Sequence, residues 1–256
     1  MPHFKLTLEY IGTAYHGWQV QPGLPTIQGL LHDRLAMALR QPVAARGAAR
    51  TDAGVHAVGQ VASIESPVEV DPGRLARTLN ATLPADIGVV GIERVSSEFH
   101  ARHSARGRIY RYQIVQGEYI SPFLGEFAAH VRAPLDVEAM DQAAGLLVGE
   151  MDFSSFCAAG GVSDSPVKVI RRSRVSVRQG NQRLIEYTVE ASSFLQHMVR
   201  TIAGTLIEVG RGRLKPERIP EIIASRDRRL AGPTAPAMGL FLVQVLYPDL
   251  AQDRIG

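Results

Sequence analysis

One carboxylate stands out by its neighbours. In "RGAARTDAGVHAVGQVASI", residues 46–64, Asp52 follows a threonine and precedes an Ala-Gly step. Arg50 lies two residues before it and a Val/Ile/Ala-rich run comes after. Two readings compete. Asp with Gly two positions later is turn chemistry, because an aspartate side chain often ties down its own backbone. The chemical reading starts from desolvation: an acid leading into an apolar strand tends to lose its charge, and a nearby guanidinium opposes that loss. In an extended chain Arg50 and Asp52 point to the same side. The pair could then hold an ionised carboxylate in a dry pocket, where it acts as a nucleophile or base.

A second stretch, "FHARHSARGRIYRY" at residues 99–112, contains Arg102, Arg106, Arg108 and Arg111 among His100, His103, Phe99, Tyr110 and Tyr112, with no acid at all. Arginines interleaved with aromatics suit a surface that tracks a nucleic-acid backbone and stacks its bases. The bland alternative is a solvated basic loop before a strand whose tyrosines pack. In that strand Tyr110 and Tyr112 share one face and Arg111 takes the other. A third stretch, "SSFLQHMVRTIAGTL", places His197 and Arg200 three apart on one helix face. Met198, Ile202 and Leu206 form an apolar stripe there, and Gly204 allows close approach of another backbone. An arginine on such a helix calls for an acid partner, since an unpaired buried charge costs several kcal/mol in rough terms. "CAAGGVSD" is glycine-rich but lacks phosphate-loop spacing, Trp18 is either core or contact, and "ASRDRRLAGPTAP" reads as a solvated helix end.

The elements that must position these groups alternate. "FKLTLEY" has the period of a half-buried strand. Thr26 caps the helix "IQGLLHDRLAMAL", "VHAVGQVASIES" is a strand, "DPGRLARTLNATL" opens as a helix on Asp-Pro, and "IGVVGIERVS" is a strand. The second half reads "GRIYRYQIV" as strand, "DVEAMDQAAGLLVG" as helix, and two strands turning at Gly180-Asn181. A long helix over "SFLQHMVRTIAGTLIEVGRG" comes next, capped by Ser192 or Ser193 and stopped by Gly210. A shorter helix at "KPERIPEIIASRD" and a last strand, "GLFLVQVLYP", close the chain. This predicts an α+β fold of two similar subdomains. Each has a mainly antiparallel sheet flanked by helices, and the active-site cleft lies between them. The expected division is residues 1–104, carrying Asp52, then 105–248, then a tail at 249–256.

Composition narrows the class. With 45% hydrophobic and 21% charged residues, the 256-residue chain can bury a sizeable core. It has no apolar run near the ~18 residues a membrane span needs. The opening "MPHFKLTLEY" lacks a signal-peptide layout. The single cysteine, Cys157, permits no internal disulfide, and Cys/His zinc spacing is missing. A cytoplasmic protein is expected. Net charge is only +3, but 25 of the 28 basic residues are arginine, the residue suited to phosphate forks and base faces. GC-rich coding would raise arginine everywhere, so its clustering discriminates better than its total.

"ARTDAGVHAVGQV" resembles the signature of the tRNA pseudouridine synthase A family, G-R-T-D-x-G-V-H-A. "YHGWQVQP", "FHARHSARGRIYRY", "DFSSF", "FLQHMVRTIAGTLIEVG" and "GLFLVQVLYP" resemble further family blocks in the family's order. One departure is visible: Ala49 stands where glycine is usual, at a backbone-permissive position. The resemblance implies conversion of uridine to pseudouridine at positions 38, 39 and 40 of the tRNA anticodon arm, without metal or organic cofactor, by a homodimer. It makes Asp52 the catalytic aspartate, Tyr110 the tyrosine contacting the target base, Arg50 a member of the same motif, and Arg200 the helix arginine expected to pair with the acid. Arg102, Arg106 and Arg108 are the expected phosphate contacts. Three chemistries for the carboxylate stay open: attack at ribose C1′, addition at uracil C6, or removal of the C2′ proton. Two other classes compete. A non-catalytic RNA-binding module would not need the Arg50, Asp52, Tyr110 and Arg200 set, and an aspartic protease would need a second acid beside Asp52.

Overall fold

The computed structural model describes residues 1–158, 160 and 165–248. Most of "CAAGGVSD" and the tail at 249–256 lie outside them. Among the described residues, ten strands pair almost wholly antiparallel and five α-helices accompany them, an α+β fold. The described chain forms two compact units, residues 1–106 with 242–248, and residues 107–241.

The first unit starts with β1 (His3–Tyr10), whose alternate residues Phe4, Leu6, Leu8 and Tyr10 are buried. Helix α1 (Ile27–Leu39) begins where the Thr26 hydroxyl accepts from Gly29 N at 3.3 Å, as its sequence predicts. The short β2 (Arg46–Gly47) runs beside β3 (His56–Glu65), with Arg46 opposite Ser63. Helix α2 (Pro72–Thr82) is capped by Asp71, which accepts from Arg74 N at 2.7 Å. β4 (Ile87–Val95) and β3 flank β1 on either side, both antiparallel to it.

In the second unit, β5 (Gly107–Gln116) pairs in parallel with the short β6 (Ala129–Val131) and antiparallel with a later strand. Helix α3 (Val137–Gly145) starts at Asp136, which accepts from Ala139 N at 2.9 Å. β7 (Gly149–Asp152), β8 (Val167–Arg178) and β9 (Arg183–Ala191) then continue the sheet in the order β5-β9-β8-β7. Helix α4 (Met198–Gly210) is buried nearly all round, and α5 (Arg218–Ser225) comes after it. The last strand, β10 (Leu240–Leu246), pairs with β3.

Two expectations change. Residues 242–248, expected in the second subdomain, belong to the first unit. A side chain at Gly59 would meet the Val243 carbonyl, so β3 accepts β10 at close quarters, and the Tyr247 hydroxyl donates to Ala101 O at 2.6 Å. Helix α4 starts at Met198, later than its sequence suggests, because His197 adopts a left-handed φ of 60° that ends any helix before it. Ser192 is not its cap; its hydroxyl accepts from Val169 N at 3.3 Å and ties down the end of β9. The helix runs through Gly210, and Gly212, at φ +71°, makes the turn after it. No helix of the described residues is long and apolar enough to cross a membrane.

Candidate active site

Asp52 sits on a segment whose backbone is fixed on both sides. Upstream, β2 is bonded to β3, and Ala48 N donates to Val61 O at 2.8 Å. The fully buried Gln60 then reaches sideways from β3. Its amide nitrogen donates to Ala49 O at 2.8 Å, while its carbonyl oxygen accepts from Ala49 N at 3.3 Å and Val61 N at 3.1 Å. Next, the Thr51 hydroxyl bonds the buried Tyr10 hydroxyl at 2.8 Å, and Thr51 O accepts from Trp18 N at 3.0 Å. Burial pushes the Tyr10 hydroxyl up to about 12, so it stays protonated as a bonding partner.

Downstream of Asp52 the chain turns. Asp52 O accepts from Val55 N at 3.1 Å, Gly54 takes a φ of +77°, and Gly54 N donates to Tyr15 O at 3.3 Å. Glycine suits that left-handed position because it has no Cβ. The turn closes through the main-chain carbonyl of Asp52, and its half-buried carboxylate projects from a backbone held by other groups. The turn reading and the chemical reading of this residue are therefore compatible.

The 12–18 loop forms the wall behind this segment. A side chain at Gly12 would overlap the Val55 carbonyl, and one at Gly17 would overlap Thr51 O. Gly12 N donates to His56 Nδ1 at 3.1 Å, which leaves the buried imidazole's proton on Nε2 when the ring is neutral. Trp18 is core: it is 1% exposed and packs against Gly47, where a Cβ would lie 2.4 Å from the indole nitrogen. Ala49 departs from the glycine of the signature without strain, since it is not among the positive-φ residues. Arg50 is exposed.

Replacing Gln60 with leucine would orphan the main chain of Ala49 and remove a donor to Tyr10. Unsatisfied buried polar groups cost roughly 1–3 kcal/mol each. We expect Gln60→Leu to lower the denaturant midpoint by an amount equal to about 2–4 kcal/mol, and to cut the rate because the Asp52 loop loses its support. A midpoint equal to wild type would reject this role.

The second unit holds the other expected residues. Tyr110, on β5, is 8% exposed, faces Val189 of β9, and meets Phe194 edge-on with ring centres 5.0 Å apart. Tyr112 is fully buried on the same face, and its hydroxyl donates to Pro236 O at 2.8 Å. Burial pushes that hydroxyl well above its ordinary range, against the opposing pull of the nearby Arg200 charge. Arg200, in the first turn of α4, donates from Nε to Ala235 O at 2.8 Å, and its own carbonyl accepts from Ala235 N at 3.0 Å.

The segment that holds Arg200 has the sequence of a solvated helix end. It is instead a built support. Arg228 donates to Gly232 O at 2.9 Å and Thr234 Oγ1 at 3.0 Å, and Gly232 N donates to the buried Thr205 hydroxyl at 2.9 Å. Gly204 gives the closest approach, with a would-be Cβ only 1.7 Å from Pro233 O. The paired glycines and prolines of "AGTL" and "AGPTAP" were the available signal.

The three arginines expected to meet phosphate differ. Arg102 and Arg106 are exposed. Arg108 is half-buried and donates to Ser192 O at 3.0 Å, which gives its guanidinium a structural task. No group of three or more His, Cys, Asp or Glu side chains among the described residues could hold a metal.

A family model described as tRNA pseudouridine synthase matches residues 7–104 and 143–248. The chain belongs to the tRNA pseudouridine synthase family. Its members are isomerases that convert uridine to pseudouridine. Curated relatives agree over nearly the whole chain. It is 46% identical to a tRNA pseudouridine synthase A of Myxococcus xanthus, covering 97% of this chain and 93% of that protein. Proteins of the same name from Ruminiclostridium cellulolyticum and Moorella thermoacetica are 44% and 46% identical, each covering 96% of this chain and 100% of the relative. Within the family match, Arg50 and Asp52 fall in the first matched segment and Arg200 in the second, while Arg106, Arg108 and Tyr110 lie between the two.

Proposed function

We propose that this chain isomerises uridine to pseudouridine at positions 38, 39 and 40 of the tRNA anticodon stem-loop, and that Asp52 starts the reaction. The observation that carries the assignment of Asp52 is the loop around it. Gln60, Tyr10 and the main chain of Trp18 hold the residues before it, and the 52–55 turn holds the residues after it. A reacting group gains rate from being held in place before the substrate arrives.

The reaction breaks the C1′–N1 glycosidic bond, turns the uracil, and forms C1′–C5. The hydrogen on C5 leaves and N1 regains a proton. The uridine must first leave its stack, which costs on the order of a few kcal/mol. Phosphate contacts from Arg102 and Arg106 and aromatic stacking offset that cost. In this reading Tyr110 contacts the everted base, Arg200 keeps the carboxylate ionised, and the exposed Arg50 approaches the RNA backbone. Water must be excluded while the base is detached. The chain is expected to work as a homodimer, which sedimentation at assay concentration would check.

Incubating the purified protein with unmodified tRNA and mapping pseudouridines before and after tests the activity. New pseudouridine at positions 38–40 is expected, and none at these positions would reject it. The division of roles predicts a second result. Arg200→Ala should lower kcat at least about 30-fold, through loss of the charge that keeps the acid ionised. Arg106→Ala should mainly raise KM and reduce the salt slope of binding by about one unit. The reverse pattern in steady-state kinetics would overturn the division.

A further inference from the structure

At the end of β3 remote from Asp52, the first unit carries a concave surface. A cavity of about 430 Å³ there is lined by Arg46, His3, Ser63, Glu65, Glu98 and His100, among others. The turn at its edge is held by bonds of its own. His100 N donates to Ser104 Oγ at 3.0 Å, and Ser104 N donates to His100 O at 2.9 Å. The turn is also pinned to the sheet: Ala101 N donates to Ser63 Oγ at 3.2 Å, while Ala101 O accepts from Tyr247.

Basic side chains lie on this turn and on β2 beside the cavity. Arg46, Arg102 and His103 are exposed. His100 Nδ1 accepts from the main-chain N of Arg102 at 3.1 Å and of His103 at 3.3 Å, so the neutral ring carries its proton on Nε2 as a donor. The His100 and His103 rings lie 4.3 Å apart. Burial lowers the His100 pKa first, and the charges of His103, Arg46 and Arg102 lower it further. Two acids also line the cavity: Glu98, which is exposed, and Glu65, whose carboxylate lies 4.0 Å from the His3 imidazole.

We propose that Arg46, His100 and His103 extend the phosphate contact of Arg102 into a second RNA grip, which holds a backbone phosphate of the same tRNA whose uridine is held at Asp52. The proposal rests on the function proposed above. The link between the two places is covalent and short. Arg46 begins the segment that ends at Asp52, and six residue steps span at most about 20 Å. β3 and Gln60 hold that segment along its length, so the two points keep a constant separation. A nucleotide everted at one end then has phosphates of the same molecule within reach of the other. Forked guanidiniums and a fixed imidazole donor suit a phosphodiester.

The test measures tRNA binding over a range of salt, together with pseudouridine formation, for wild type, Arg46→Gln, Arg46→Gln/Arg102→Gln, and Arg218→Gln on α5 of the second unit as a control. Arg46→Gln should raise Kd about 3- to 10-fold at moderate salt, and the double variant more. The slope of log Kd against log salt should fall by about one unit per arginine removed. The lost turnover should be regained at saturating tRNA. A Kd and slope matching wild type or Arg218→Gln overturn the second contact while leaving the proposed reaction intact. Wild type that binds tRNA with the expected slope but forms no pseudouridine overturns the reaction and leaves the contact standing.

Discussion

Asp52→Asn is expected to abolish pseudouridine formation while leaving tRNA affinity within about tenfold of wild type. The exchange keeps size and shape and removes one negative charge. Attack at C1′, addition at C6 and removal of the C2′ proton all require an ionised carboxylate, so an amide supports none of them. We expect a loss of at least about a thousandfold in single-turnover rate, or about 4 kcal/mol of barrier. Folding should change little, because the loop is held through Gln60, Tyr10, Trp18 and the Asp52 carbonyl rather than by the carboxylate alone. Turnover of an anticodon-arm substrate at a rate near wild type would reject Asp52 as the reacting group. A large loss of affinity with normal turnover would make it a binding residue.

The second large effect concerns Gly204, which is given no contact with substrate. Alanine there would place a Cβ 1.7 Å from the Pro233 carbonyl, and both partners are backbone, so no side chain can swing aside. Helix α4 and the 232–236 segment would have to separate. Overpacking of this kind typically costs about 1–3 kcal/mol, and a backbone clash belongs at the upper end or beyond. The same separation would move Ala235 and Pro236, which hold Arg200 and Tyr112. We therefore expect Gly204→Ala to lower the denaturant midpoint strongly and to depress kcat in the fraction that still folds. Gly91→Ala, at a position with open space for a Cβ, is the comparison. Equal stability of the two variants would show that the Gly204 contact is not tight.

Much of the local structure could be read from the chain. Thr26, Asp71 and Asp136 each stand just before a run with helical spacing, and each caps a helix through its own oxygen. The alternation of "FKLTLEY" marks a half-buried strand, and "GRIYRYQIV" reads as a strand that the structure buries on both faces over residues 112–115. Asp52, with its flanking arginine and glycine, stood out in the chain as a candidate for chemistry beside its reading as a turn residue, and the 52–55 turn accommodates both. Gly204 was legible as a place of close approach, although what approaches it was not.

The remainder depended on contacts between residues far apart in the chain. Gln60 looks like a polar interruption in an apolar strand until the Ala49 main chain is found beside it. "GPTAP" looks like a solvated end until α4 packs against it. The final strand comes after the second half in sequence yet joins the first unit, because β3 offers the hydrogen-bonding edge it needs. Local pattern specifies helices, strands and caps and singles out Asp52 as the candidate acid, since these arise from the backbone and side-chain chemistry of neighbouring residues. Tertiary structure alone decided what holds that acid's loop and the Arg200 guanidinium in place, because a hydrogen bond or a glycine contact across dozens of residues leaves no periodicity for a sequence to display.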